Sequence, residues 1–239
     1  MPVLPMRAAA MLVAALAAAC ADRPAADTPE SAAPPVTPPA ARSVSRASTA
    51  ALTTPRIVFL GDSLTAGYGL TSDQAYPALI GQQLREAGYE FEIVNAGVSG
   101  DTSAGGLRRL EWSLDGDVEV LVVALGGNDG LRGLPPSQLR DNLARIIETA
   151  QARQIAVVLL GMEAPPNFGE TYTQEFRAVY RELAERYDVP LIPFFLEGVA
   201  GVPSLNQRDG IHPNAEGQRR IAEKVWQTLR PVIERNATS

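Results

Sequence analysis

Beyond Pro55 the chain alternates between two kinds of segment, and this alternation restricts the possible folds more than any other feature. Short runs rich in β-branched and aliphatic residues, RIVFL (56–60), EFEIVN (90–95), VEVLVVAL (118–125), IAVVLL (155–160) and VPLIPFF (189–195), read as buried strands. Between them apolar residues recur every three or four positions: Tyr76, Leu79, Ile80 and Leu84; Leu139, Leu143, Ile146 and Ile147; Phe176, Val179, Tyr180 and Leu183. That spacing lines one face of a helix. A last amphipathic segment carries Ile221, Val225, Leu229, Val232 and Ile233, and Thr171 with Gln174 offers a capping box for the helix before it. Strands that alternate with helices pair in parallel through right-handed crossovers, which cover both faces of the sheet. The expectation is a five-stranded parallel sheet in a three-layer, flavodoxin-like α/β/α domain over residues 55–239.

The residues before Pro55 follow a different logic. Arg7, an apolar run over 8–16, and small residues up to Cys20 have the layout of a secretory signal over 1–20. The run is too short for an ordinary transmembrane helix. Small residues directly before a cysteine resemble the lipobox of bacterial lipoproteins, in which Cys20 would be lipidated, although Ala17 stands where leucine is usual. The other reading is a plain secretory signal cut after an Ala-x-Ala, with Cys20 incidental. Both send the protein out of a bacterial cytoplasm, and the first anchors it to the periplasmic face of a membrane. Residues 21–54, with PPVTPP and RSVSRASTA, bury too little apolar surface to offset chain entropy and read as a disordered, partly polyproline-extended tether.

Composition removes several classes of function. A net charge of −6 with no basic run argues against a nucleic-acid surface. One histidine and one cysteine cannot supply the usual nitrogen and sulfur ligand sets of a metal site, and no EF-hand spacing supports a carboxylate one. GGNDGLRG lacks the lysine and spacing of a phosphate-binding loop. No metal or cofactor is expected.

Ligands of open α/β sheets bind outside the carboxyl ends of the strands, so those ends are where chemistry is sought. The first strand runs into Gly61-Asp62-Ser63. There the glycine turns the chain, and either Asp62 or Ser63 merely caps the next helix or the turn lifts Ser63 Oγ clear as a nucleophile. The second strand runs into NAGVSGDTSAGG with Gly97, the third into GGNDG with Asn128, and RDGIHPN with Asp209 and His212 follows the fifth. Ester cleavage needs an alcohol activated by a base, and neutral imidazole suits that task near neutrality. His212 is the only histidine. Asp209, three residues upstream, can orient its ring and stabilise imidazolium, and Pro213 restricts His212 to an extended backbone.

These four blocks, Gly61-Asp62-Ser63-Leu64, NAGVSGDTS, Gly126 to Asp129, and Asp209-Gly210-Ile211-His212, resemble in order those of the SGNH (GDSL) hydrolases. Longer stretches such as GDSLTAGYGL and GMEAPPNFGETY are similar more narrowly to the bacterial thioesterase I, lysophospholipase and arylesterase group. The resemblance implies a Ser63-His212-Asp209 triad and an oxyanion hole made by the Ser63 N–H, the Gly97 N–H and the Asn128 amide. Asp129 is read as structural. In the resembling group the loop after the fourth strand borders an acyl groove, which makes Met162, Pro165, Pro166 and Phe168 candidate lining.

The expected activity is hydrolysis of single-acyl or aryl esters and thioesters through an acyl-enzyme. A carbohydrate O-acetyl esterase is the rival among enzymes, and it predicts a polar rim with exposed aromatics. A catalytically silent lipoprotein that binds an envelope ligand is the rival of another class, and the intact Ser63, Asn128, Asp209 and His212 argue against it.

Overall fold

The computed structural model describes residues 54–236; the expected secretory signal with Cys20 and the expected tether up to residue 53 lie outside the described residues. Five strands, β1 (Arg56–Gly61), β2 (Glu92–Gly97), β3 (Val118–Ala124), β4 (Ala156–Leu160) and β5 (Leu191–Ile192), pair in parallel in the order β2-β1-β3-β4-β5. The helices are α1 (Ser63–Ala66), α2 (Tyr76–Glu86), α3 (Ser103–Arg108), α4 (Leu110–Ser113), α5 (Gly127–Leu131), α6 (Pro136–Ala152), α7 (Glu170–Tyr187) and α8 (Ala215–Asn236). Helices α2 and α8 pack together as one layer, and α3, α6 and α7 as the other. This is the expected flavodoxin-like α/β/α arrangement.

The hydrophobic periodicity of the sequence becomes the core directly. Each apolar stripe read from α6, α7 and α8 is buried, as are Ile57 to Leu60 of β1 and Val120 to Val123 of β3. Central parallel strands are covered on both faces, which is why they show continuous apolar runs instead of alternation. Asn214 starts α8 by accepting from the N–H groups of Glu216 at 3.0 Å and Gly217 at 3.1 Å, satisfying two free donors of its first turn. No helix among the described residues is long and apolar enough to cross a membrane.

Three expectations need correction. Strand β2 is not buried: it is the sheet edge, with Glu92 and Asn95 exposed and the rest half-covered, because it has a neighbour on one side only. The fifth strand shrinks to Leu191–Ile192. Pro190 and Pro193 flank it, and a residue without an N–H cannot extend the ladder. The capping box of Thr171 and Gln174 does not form, because α7 already begins at Glu170, after Gly169 with φ +89°. Gln174 instead donates to the Glu170 carboxylate at 2.8 Å.

The strand order reverses at β1, which has β2 on one side and β3 on the other. The crevice outside the carboxyl ends of β1 and β3 is therefore the place where this architecture binds ligands.

Candidate active site

Strand β1 ends at Gly61, and Asp62 turns the chain directly into α1, whose first residue is Ser63. Asp62 Oδ1 accepts from the Leu64 N–H at 3.0 Å, so the capping reading of this turn holds for Asp62. Ser63 is thereby free of the capping task, and its Oγ lies 3.0 Å from His212 Nε2.

His212 and Asp209 arrive on one short loop. Gly210 adopts φ +71° within it, a conformation that costs a residue with a side chain energy. Asp209 Oδ1 accepts from the Ile211 N–H at 2.9 Å and the His212 N–H at 3.0 Å, while Oδ2 sits 2.7 Å from His212 Nδ1. A carboxylate only accepts, so Nδ1 donates and Nε2 is left to accept the Ser63 hydroxyl proton. The His212 N–H, then its ring, then the Ile211 N–H hold the Asp209 carboxyl down at about 2. His212 is fixed from two further directions: the Tyr68 ring lies against its imidazole with centroids 4.7 Å apart, and the His212 backbone carbonyl accepts from the Gln207 N–H at 2.7 Å.

Asn128 enters from the turn after β3, the second residue of α5. Its Nδ2 donates to Asp62 Oδ2 at 3.2 Å and to the Asp101 carbonyl at 2.9 Å. Asp62 is almost completely buried, and burial raises its carboxyl to about 6 against the opposing Leu64 N–H, the Asn128 amide and His212. Asp129 is buried as well and accepts from the Ser103 N–H at 2.8 Å and the Ser103 hydroxyl at 2.5 Å, which ties α5 to α3.

Gly97 is not where the sequence reading needs it. Its N–H donates to Asn95 Oδ1 at 3.0 Å, and a Cβ built on it would lie 2.2 Å from the Ala66 nitrogen. The glycine is there to let β2 pass against the end of α1. The residues of this loop that line the cleft are Ser99 and Gly100. Among the described residues neither the Gly100 N–H nor the Ser63 N–H has an acceptor. The signal in the sequence was the second glycine of the same block, Gly100 of VSGDTS.

A cleft of about 340 Å³ opens over Ser63 and His212, within the usual size of small-molecule sites. Leu64, Leu131, Met162, Pro165, Leu196 and Ile211 give it a largely apolar wall. Met162 and Pro165 stand where the sequence reading put them. Phe168 does not: it leaves the cleft, packs on Tyr172 with centroids 5.2 Å apart and covers Gly133. The short 3-10 turn Pro166–Phe168 carries the ring onto Tyr172 and away from the cleft.

The sequence profile of the GDSL-like lipase/acylhydrolase family matches residues 59–220. Esterase TesA of Pseudomonas aeruginosa is 47% identical over 178 residues, 74% of this chain and 89% of that protein. The thioesterase 1/protease 1/lysophospholipase L1 of Escherichia coli K12 is 40% identical over 182 residues, 76% of this chain and 86% of that one. Among solved structures, AlinE4, an SGNH-hydrolase family esterase, superposes with a TM-score of 0.63 at 45% identity, covering 77% of this chain and 97% of that one. Fold, site geometry and sequence agree, and the chain belongs to the GDSL-like lipase/acylhydrolase family.

Proposed function

We propose that this chain is a serine hydrolase of single-acyl or aryl esters and thioesters, working through an acyl-enzyme on Ser63. The observation that carries the reading is the unbroken line Asp209 Oδ2, His212 Nδ1, His212 Nε2, Ser63 Oγ, with links of 2.7 and 3.0 Å. His212 takes the Ser63 hydroxyl proton as Oγ attacks the acyl carbon, and Asp209 stabilises the imidazolium that forms. The C=O electrons move onto oxygen, which the Ser63 N–H, the Gly100 N–H and Asn128 Nδ2 receive. Asn128 can turn toward that oxygen by giving up the longer of its two bonds, the one to Asp62 at 3.2 Å. His212 then protonates the departing alcohol or thiol. In the second half a water gives its proton to His212, its oxygen attacks the acyl carbon, and the acid leaves as Ser63 recovers its proton.

The apolar wall favours acyl chains over sugar-borne acetate. Each methylene entering it gains up to about 0.8 kcal/mol, so kcat/KM on p-nitrophenyl esters rises from acetate through medium chains and stops where the cleft does. Ser63→Ala abolishes turnover and labelling by a fluorophosphonate while circular dichroism stays unchanged. Labelling that survives in Ser63→Ala removes Ser63 as nucleophile, and a fall from acetate onward with efficient xylan deacetylation promotes the carbohydrate esterase instead.

The domain division is part of the same proposal: an exported chain with its signal over 1–20, a tether over 21–54 and the hydrolase over 55–239. Lipidation of Cys20 at the periplasmic face is supported by the small residues before it. Palmitate labelling of wild type but not of Cys20→Ser tests it, and equal soluble fractions from both leave only the plain secretory signal.

A further inference from the structure

One side chain near the cleft touches no part of the line from Asp209 to Ser63, yet it spans the two segments that carry the backbone donors. Arg109 follows α3, with its side chain 17% exposed. Its Nε donates to Asp101 Oδ2 at 2.7 Å, and its Nη2 donates to the Gly61 carbonyl at 2.8 Å. Gly61 lies two residues before Ser63, and Asp101 directly follows Gly100. We propose that Arg109 is a positioning residue for the oxyanion site, a strut that sets the separation of the Ser63 N–H from the Gly100 N–H. The proposal rests on the acyl-enzyme reading above.

Three observations set this contact apart from ordinary packing. The Gly61 carbonyl already accepts from the Val98 N–H at 3.0 Å, so Arg109 is not needed to satisfy it. The bond adds a second constraint to a carbonyl that is already paired. Next, the Asp101 end of the strut also carries the third donor, because the Asp101 carbonyl holds Asn128 Nδ2 at 2.9 Å. Movement of Asp101 therefore moves both Gly100 and Asn128. Finally, a built Cβ on Gly105 would lie 2.4 Å from Asp101 Oδ1, so the carboxylate is seated closely on α3 and transmits the position of that helix. A planar guanidinium can hold a carboxylate and a carbonyl at once in fixed directions, which an ammonium cannot. Against an apolar replacement the pair adds little stability, since desolvation offsets most of its attraction, but removing Arg109 alone leaves its other half, the Asp101 carboxylate, unpaired and lowers the melting temperature.

The test compares Arg109→Lys and Arg109→Gln with wild type and with Ser63→Ala on a medium-chain p-nitrophenyl ester. In both Arg109 variants kcat falls about 10- to 100-fold with KM within about twofold, because donors that act in the transition state lose their aim while the acyl wall is intact. The rate of fluorophosphonate labelling falls by the same factor, since that reagent draws on the same donors. Lysine keeps a charge beside Asp101 and restores the melting temperature without restoring kcat, a split that a merely structural role does not produce. Asp101→Asn, which retains the backbone carbonyl for Asn128, shows the same loss of kcat and serves where Arg109→Gln does not fold. Folded Arg109 variants with kcat within about twofold of wild type, or with a change in KM alone, overturn the proposal. If Ser63→Ala keeps turning over, the acyl-enzyme reading has failed instead; if it is dead while the Arg109 variants are normal, only the strut has.

Discussion

Two aspartates serve this site, and their surroundings drive them in opposite directions. Asp209 stands on an exposed loop, with its side chain 38% accessible, yet three hydrogen-bond donors hold it at about 2. Asp62 sits in the turn directly after β1, 3% accessible, and burial carries it to about 6 despite donors of its own. At Asp209, where little desolvation opposes them, hydrogen bonds to the charged form win; at Asp62 burial outweighs them. The loop aspartate is thus a permanent charge available to His212. The turn aspartate is one whose charge depends on the solution.

The largest effect is expected at Asp209. Asp209→Asn places an amide donor against His212 Nδ1, forces the ring toward the wrong tautomer and lowers kcat about 10³- to 10⁴-fold on a p-nitrophenyl ester. Activity near wild type would leave Asp62 as the remaining carboxylate beside the serine and reverse the two assignments. A smaller loss comes from Asn128→Ala, about 10²- to 10³-fold in kcat with a lesser effect on KM, as expected for one oxyanion donor. A variant within about twofold of wild type is incompatible with that role.

The smallest loss of the three is expected from Asp62→Asn. Its oxygen can still accept from the Leu64 N–H, but its amide then opposes Asn128 Nδ2, two donors face to face, and kcat drops about tenfold. Stability carries the clearer sign. The Asp62 carboxyl titrates at 3.8 in the unfolded chain and at about 6 in the folded one, so between those values the folded state holds the extra proton. Its contribution is therefore complete below 3.8, is lost as pH rises to about 6, and changes no further above that. A shift of this size corresponds to on the order of 3 kcal/mol. Thermal melts in steps from pH 4 to 7 should show a decline in wild type relative to Asp62→Asn; parallel curves contradict the raised carboxyl. Asp209 acts in the opposite sense: its stabilisation is present above 3.8 and is lost as pH falls toward about 2.

How far the molecule could be read from its sequence follows from the range over which each feature is determined. Apolar spacing is local, so the stripes of α6, α7 and α8 and the central strands were legible. The Asp209-x-x-His212 spacing is local too, and one loop delivers both groups. Which glycine of NAGVSGDTS faces the cleft is not local. It depends on β2 pairing with β1 in the register that sets Gly97 beside Gly61, and this places the Gly97 backbone against α1 and leaves Gly100 to line the cleft. Phe168 departs from its expected place for a related reason: an aromatic after two prolines looks like lining until its contact with Tyr172 is seen. The edge position of β2 and the truncation of β5 likewise reflect neighbours that the segments' own residues do not reveal. Arg109 carried no signal at all, since an arginine in GGLRRL is indistinguishable from a solvent-facing one until its partners are seen.

Every residue assigned to the chemistry stands at the carboxyl end of the sheet, while the described chain begins at Thr54, beside the amino end of β1. Strand β1 has six residues and α8, which starts beside His212, has twenty-two. At their ordinary rises the strand spans about 20 Å and the helix about 33 Å, so Thr54 and Asn236, the ends of the described residues, lie far from the cleft mouth. A hydrolase domain held on a bead directly at Thr54 would accordingly present its cleft to the bulk solution, leaving diffusion of ester to Ser63 unobstructed by the support.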